Sequence, residues 1–111
     1  MNNKILTLDE IREKIRPVCE KYKISKVWIF GSYADGTARP DSDIDLIINE
    51  TEKIKSLLDM VDTKDDFKKA LNKEIDLISI EALEEKRHFS KIIKKSAKEI
   101  YSQYLNRWIN V

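Results

Sequence analysis

Residues that interrupt or cross-link a chain are scarce in this sequence. Its 111 residues include one cysteine, Cys19, so no intramolecular disulfide can form. The single histidine, His88, excludes a metal centre built on a histidine pair and reads as a surface residue. Only two glycines and two prolines occur, which excludes a Gly/Pro-rich linker or low-complexity segment. No apolar run approaches the roughly 18 residues that a membrane span requires. The opening stretch, Met1 to Asp9, has no apolar core of the secretory kind, so the expected compartment is cytoplasmic. Twenty-one basic residues against 20 acidic ones leave a net charge of +1. That balance gives no whole-protein field to draw in nucleic acid or a membrane, and neither is expected as a partner.

The 41% of hydrophobic and 37% of charged residues fit a globular domain with a heavily charged surface. The length allows one core, so residues 1–111 are expected to form a single domain. Thr7-Leu8-Asp9-Glu10 has the form of a capping box and starts a first helix. Leu8, Ile11, Ile15, Val18, Cys19 and Tyr22 then recur at helical spacing. Pro17 predicts a kink or an early end to that helix. Cys19, on its apolar face, reads as a core thiol.

Three β-branched or apolar runs predict strands: residues 25–31, 43–49 and 74–80. Trp28 and Phe30 lie in the first and read as packing residues. Between the second and third strands a helix is expected, with Leu57, Met60, Thr63, Phe67 and Leu71 near one face and Asn72 at its end. A long final helix is expected from about Glu81 to about Asn106 or beyond, with Phe89, Ile93, Ala97, Ile100 and Tyr104 along one side. Its stripe continues through Tyr101, Tyr104, Leu105 and Trp108, which would either overhang the sheet as an interface or fold back onto the core. Lys86, Arg87, Lys91, Lys94, Lys95 and Lys98 make this helix basic. They read first as a solvated face, and second as a surface for an acidic partner, RNA or a triphosphate. The order α-β-β-α-β-α predicts an α/β (α+β) fold, a small mixed sheet with helices packed on it.

The chemistry concentrates in three aspartates and one loop. Asp43 and Asp45 are two apart on a strand and project from the same face, while Ile44, Leu46 and Ile48 project from the other. Two adjacent carboxylates repel each other, and a divalent cation reverses that cost. Oxygen ligands of this kind suit magnesium bound together with substrate phosphates. Asp76 sits alone among Ile75, Leu77 and Ile78. If its strand pairs beside the second, the three carboxylates could hold two Mg2+ ions roughly 3.5–4 Å apart, as in-line nucleotidyl displacement uses. Asp45 is then the candidate bridging ligand and Asp76 the candidate general base. Upstream, Gly31-Ser32 closes the first strand, where a glycine lets backbone approach a phosphate and a serine can donate to it. Taken alone, Asp43 and Asp45 also suit a solvated strand end after the Pro40-Asp41-Ser42 turn. Asp41 and Ser42 read first as turn residues.

Gly31-Ser32-x-x-x-Gly36, Ser42-Asp43-Ile44-Asp45-Leu46 and Glu74-Ile75-Asp76-Leu77 together resemble the DNA polymerase beta-type nucleotidyltransferase superfamily. The resemblance runs from the first helix to about Tyr101 and is greatest to the minimal nucleotidyltransferase (MNT) antitoxins that pair with HEPN-domain toxins. It implies the nucleotidyltransferase fold, ATP as donor, Mg2+ as cofactor, and AMP transfer to a tyrosine of a cognate HEPN toxin. It also implies metal binding by Asp43, Asp45 and Asp76 and nucleotide binding by Gly31 and Ser32, with Ser42 and Arg39 as further contacts. Many relatives carry a basic residue immediately before the second loop glycine; here Asp35 stands there, and Arg39 or a partner residue is expected to supply the charge. Two other functions stay open on the residues alone. One is an antitoxin that occludes its toxin with little catalysis; the other is a nucleotidyltransferase acting on a small molecule. Assembly as a homo-oligomer or with the toxin is left open as well.

Overall fold

A computed structural model describes residues 4–85, 91, 93 and 95–103. Helix α1 spans Leu8–Tyr22. Its capping box forms as expected: the Glu10 N–H donates to Thr7 Oγ1 at 3.0 Å and the Thr7 N–H to Glu10 Oε1 at 3.1 Å. The helix does not end early at Pro17, which lies inside it. Ile15 and Val18, on either side of it, are both buried, so packing on each side offsets the missing backbone bond. Lys23 closes the helix in the left-handed conformation.

The strands follow the predicted runs with trimmed ends: β1 at Lys26–Phe30, β2 at Ile44–Ile48 and β3 at Ile75–Ser79. A four-residue helix, α2, occupies Ser32–Asp35 directly after β1. Helix α3 spans Leu57–Leu71, capped by Ser56 and ended by a left-handed Asn72. Thr63, Phe67 and Leu71 are buried, as their spacing predicts, whereas Leu57 stands 83% exposed at the first turn.

The final third departs most from expectation. In place of one long helix, a short α4 covers Ile80–Glu84, residues 91, 93, 95 and 96 are helical, and Lys98–Ser102 form a strand, β4. Ile93, Ala97 and Ile100 do recur at helical spacing, but β1 offers an open edge that β4 fills. The register shifts between Val27 and Trp28, and the consecutive Ile100 and Tyr101 are both buried in the main core. Tyr101 is thus a core residue and not part of an overhanging stripe. Phe89, Tyr104, Leu105 and Trp108 lie outside the described residues, as do His88, Lys86, Arg87 and Lys94.

The sheet order is β3-β2-β1-β4. The pairs β2·β1 and β1·β4 are antiparallel and β2·β3 is parallel, giving the mixed sheet expected. One face carries Val27, Ile29, Ile44, Leu46 and Ile75 into a core closed by α1 and α3. The Cys19 thiol lies there, its pKa pushed up to about 12 by burial. The opposite face carries Trp28, Phe30, Ile47 and Ile78 against Leu83 and Ile93.

Candidate active site

The parallel pairing of β2 with β3 sets Asp45 directly beside Asp76, because their Cα atoms are register partners. The antiparallel pairing with β1 sets Asp45 opposite Phe30, one residue before Gly31. Alternation along β2 sends Ile44, Leu46 and Ile48 into the main core, as predicted, and leaves Asp45 on the other face. Ile47 shares that face but is sealed under Leu83 and Ile93, so only the end of the sheet that carries Asp45 and Asp76 remains open.

Asp45 is half-buried, and its pKa is pushed up to about 6. Burial contributes most, followed by the hydrogen bond with Asp76 and the Asp76 charge; the charge of Asp43 contributes least. Asp76 and Asp43 are exposed. Asp43 sits just before β2 begins. Among the described residues no group of three Asp, Glu, His or Cys side chains is gathered as a metal cage. What the fold builds is a carboxylate pair, Asp45 and Asp76, with Asp43 standing beside it.

Gly31 joins β1 to α2 with φ +72° and ψ −149°, a backbone conformation open to glycine. A Cβ placed there would come within 2.3 Å of Asp45 Oδ2. Backbone and carboxylate therefore approach as closely as the absence of a side chain permits. The Ala34 and Asp35 N–H groups donate to the Gly31 carbonyl, starting α2 at Ser32. Ser32 is half-buried at this start.

The loop from 37 to 43 carries the other predicted contacts. Ser42 takes its turn role: its hydroxyl accepts from the Arg39 N–H at 2.8 Å, and its own N–H donates to the Arg39 carbonyl at 3.0 Å. The Arg39 side chain is exposed. Asp35 is turned into the loop, where its carboxylate accepts from the Thr37 N–H and hydroxyl. Those bonds, with a smaller contribution from Lys98, hold its pKa below the usual carboxylate range. Lys98, read from sequence as part of a basic helix, instead begins β4 near this loop.

Two features escaped the sequence. A cavity of about 280 Å³ opens beside Asp76, lined by Phe30, Leu77, Ile78 and Ile93. Alternation along β3 places Ile78 on the Asp76 face, but only the fold adds Phe30 and Ile93. The second is the burial of Lys73, at the turn between α3 and β3. A larger cavity, about 500 Å³, lies between α3 and the far end of β3, lined by Ile54, Met60, Leu77 and Ser79 among others. It holds no carboxylate pair, so size and chemistry point to different places, and the chemistry is the better guide.

A carboxylate pair beside a glycine-bound strand end, on one end of a mixed sheet, fits the nucleotidyltransferase class, and comparison with known proteins shows that class. Residues 13–104 match the family described as Polymerase beta, Nucleotidyltransferase, and the chain belongs to that family. It is 36% identical to a candidate protein adenylyltransferase of Methanocaldococcus jannaschii over 70% of this chain and 83% of that protein. It is 31% identical to the protein adenylyltransferase MntA of Thermococcus cleftensis over 67% of this chain and 78% of that protein. Among solved structures, a candidate minimal nucleotidyltransferase superposes with a TM-score of 0.67 at 28% identity, covering 84% of this chain and 95% of the other. A toxin-antitoxin complex with AMP-PNP shares the fold at a TM-score of 0.65 and 18% identity, covering 88% and 78%. No helix among the described residues is long and apolar enough to cross a membrane.

Proposed function

We propose that residues 1–111 form one minimal nucleotidyltransferase domain that moves AMP from ATP onto a tyrosine hydroxyl of a cognate HEPN-type toxin, as the antitoxin of the pair. One observation carries the reading: Asp45 and Asp76 stand side by side on adjacent strands, with Gly31 in contact distance of Asp45. The relatives support the donor and the type of acceptor. Two are named as protein adenylyltransferases, and a structure sharing the fold at 14% identity and a TM-score of 0.59 holds a tri-AMPylated HEPN toxin of Shewanella oneidensis with an MNT antitoxin.

The residues fit a divalent cation. Their donor atoms are carboxylate oxygens, the type magnesium prefers. Burial first, and then the neighbouring Asp76, push the Asp45 pKa up, so a charged Asp45 is costly without a counter-charge. Asp45 and Asp76 would hold the ion, and the exposed Asp43 would complete the set by turning toward them. Magnesium, when bound, neutralises phosphate charge and acidifies an oxygen nucleophile. The chain's own residues do the rest. Asp76, at the mouth of the apolar cavity, takes the proton of the acceptor hydroxyl. The hydroxyl oxygen forms a bond to the α-phosphorus of ATP as the bond to pyrophosphate breaks, and pyrophosphate leaves. Phe30, Ile78 and Ile93 give the cavity beside Asp76 an apolar wall suited to an aromatic acceptor ring. Gly31 and Ser32 cradle the phosphates, while Ser42 fixes the backbone of Arg39, whose side chain is free to meet the triphosphate.

The test is the intact mass of the cognate toxin after incubation with this protein, ATP and magnesium. The expected result is a gain of one AMP or a multiple of it, mapped to tyrosine. A toxin that is inhibited yet unmodified would instead assign the protein to occlusion without transfer. Modification of a small molecule alone would move the acceptor to a different class.

A further inference from the structure

Lys73 is the one buried basic side chain among the described residues, only 3% exposed, at the turn between α3 and β3. Its ammonium donates to the Pro40 carbonyl at 2.7 Å, 33 residues away in sequence. Among the described residues it has no carboxylate within ion-pair distance. A buried ammonium is costly unless its hydrogen bonds are made, so a lysine kept at such a position marks a contact that constrains its partner. That partner is the centre of the loop carrying Arg39, Ser42 and Asp43. Pro40, Arg39, Asp41 and Asp43 are all exposed, so little packing holds this loop from outside. Its internal bonds join Arg39 to Ser42 and leave open where the turn as a whole sits. Lys73 supplies the missing anchor from the turn that leads into the strand carrying Asp76. The Ile44 N–H donates to the Glu74 carbonyl next door, at 3.0 Å, so the anchor acts where β2 and β3 first pair.

We propose that Lys73 is a positioning residue: through Pro40 it holds Asp43 and Arg39 in register with Asp45 and Asp76, so that the metal and triphosphate meet a preformed site. This rests on the nucleotidyl-transfer reading above. The experiment uses Lys73→Met, which keeps the length and removes the donor, and Lys73→Gln, which keeps an N–H donor. Two quantities are measured for each: the magnesium-ATP concentration that half-saturates the thermal shift, and the rate of AMP transfer to the toxin. Loss of a charged hydrogen bond predicts a rise in half-saturation of roughly tenfold or more for Lys73→Met. Lys73→Gln is expected to recover part of that rise, with the rate at saturating nucleotide falling less than the affinity. A lowered melting temperature with wild-type half-saturation would overturn the proposal and make Lys73 a core residue alone. Failure of both variants to fold would overturn it in the same way. If the wild-type protein itself shows no shift with magnesium-ATP, the nucleotidyl-transfer reading fails first.

Discussion

On one face of the sheet, Ile29, Ile44, Leu46 and Ile75 lie sealed beneath α1 and α3; on the other, at the same level of the same strands, stand Asp45 and Asp76. Ile44 and Asp45 are neighbours in sequence and differ in environment because strand side chains alternate. The sealed face gains from dehydration of apolar surface. The open end instead holds two carboxylates side by side, where burial and then the neighbouring Asp76 raise the pKa of Asp45 to about 6, an arrangement that costs stability in the absence of a counter-charge. The same four strands therefore separate what holds the fold from what strains it. Substitutions on the two faces should move stability in opposite directions.

The largest effect is expected on the sealed face. Phe67 is fully buried in the main core. Phe67→Ala should lower the unfolding free energy by about 3–5 kcal/mol, from lost transfer energy and the cavity left behind. Urea denaturation measures it; a loss below about 1 kcal/mol would mean that α3 is not a necessary part of the core. Variant protein that remains folded should still transfer AMP, because Phe67 belongs to the core on the other face of the sheet.

Next in size is Gly31→Ala, where the two regions meet. The added methyl would press on Asp45 Oδ2, 2.3 Å from the ideal Cβ position, and the backbone would sit at φ +72°. Strain of this kind costs about 1–3 kcal/mol. The transfer rate should fall far more than that loss of stability accounts for, because the displaced group is Asp45 itself. Comparing transfer rate with melting temperature in the same preparation separates the two effects. Wild-type transfer in Gly31→Ala would show that the close approach has no role.

Much of this was legible in the sequence because it rested on short-range patterns. The capping box, the first three strands, the outward-facing Asp45 and the lone aspartate of the third run all depend on residues within one element. The pairing of Asp45 with Asp76 was legible only as a condition, since register is set by two strands 31 residues apart. The last third misled because Ile93, Ala97 and Ile100 satisfy helical spacing, while the open edge of β1 is a tertiary demand that spacing cannot show. An early end at Pro17 did not follow, because packing on both sides of it carries the helix on. Leu57 matched the apolar face of α3 but falls at its first turn, beyond what the sheet covers. Lys73 gave no signal, because a lysine beside a turn is ordinarily solvated and only the folded chain places Pro40 above it.

Asp45→Asn tests the central claim most directly, with melting temperature and AMP transfer read on one sample across pH without metal and then with magnesium-ATP. The folded-state pKa of Asp45 lies near 6 against an ordinary 3.8. Its charge therefore costs the fold nothing below the ordinary value, and the cost grows as pH rises through 6. Asparagine should raise stability by about 1–2 kcal/mol at pH 7.5, a figure reduced from the full shift because the group is partly exposed, and should change little near pH 4. Magnesium-ATP should stabilise the wild-type protein and not the variant, and transfer should be abolished. A variant that is less stable at pH 7.5, or one that transfers AMP at the wild-type rate, would contradict the account.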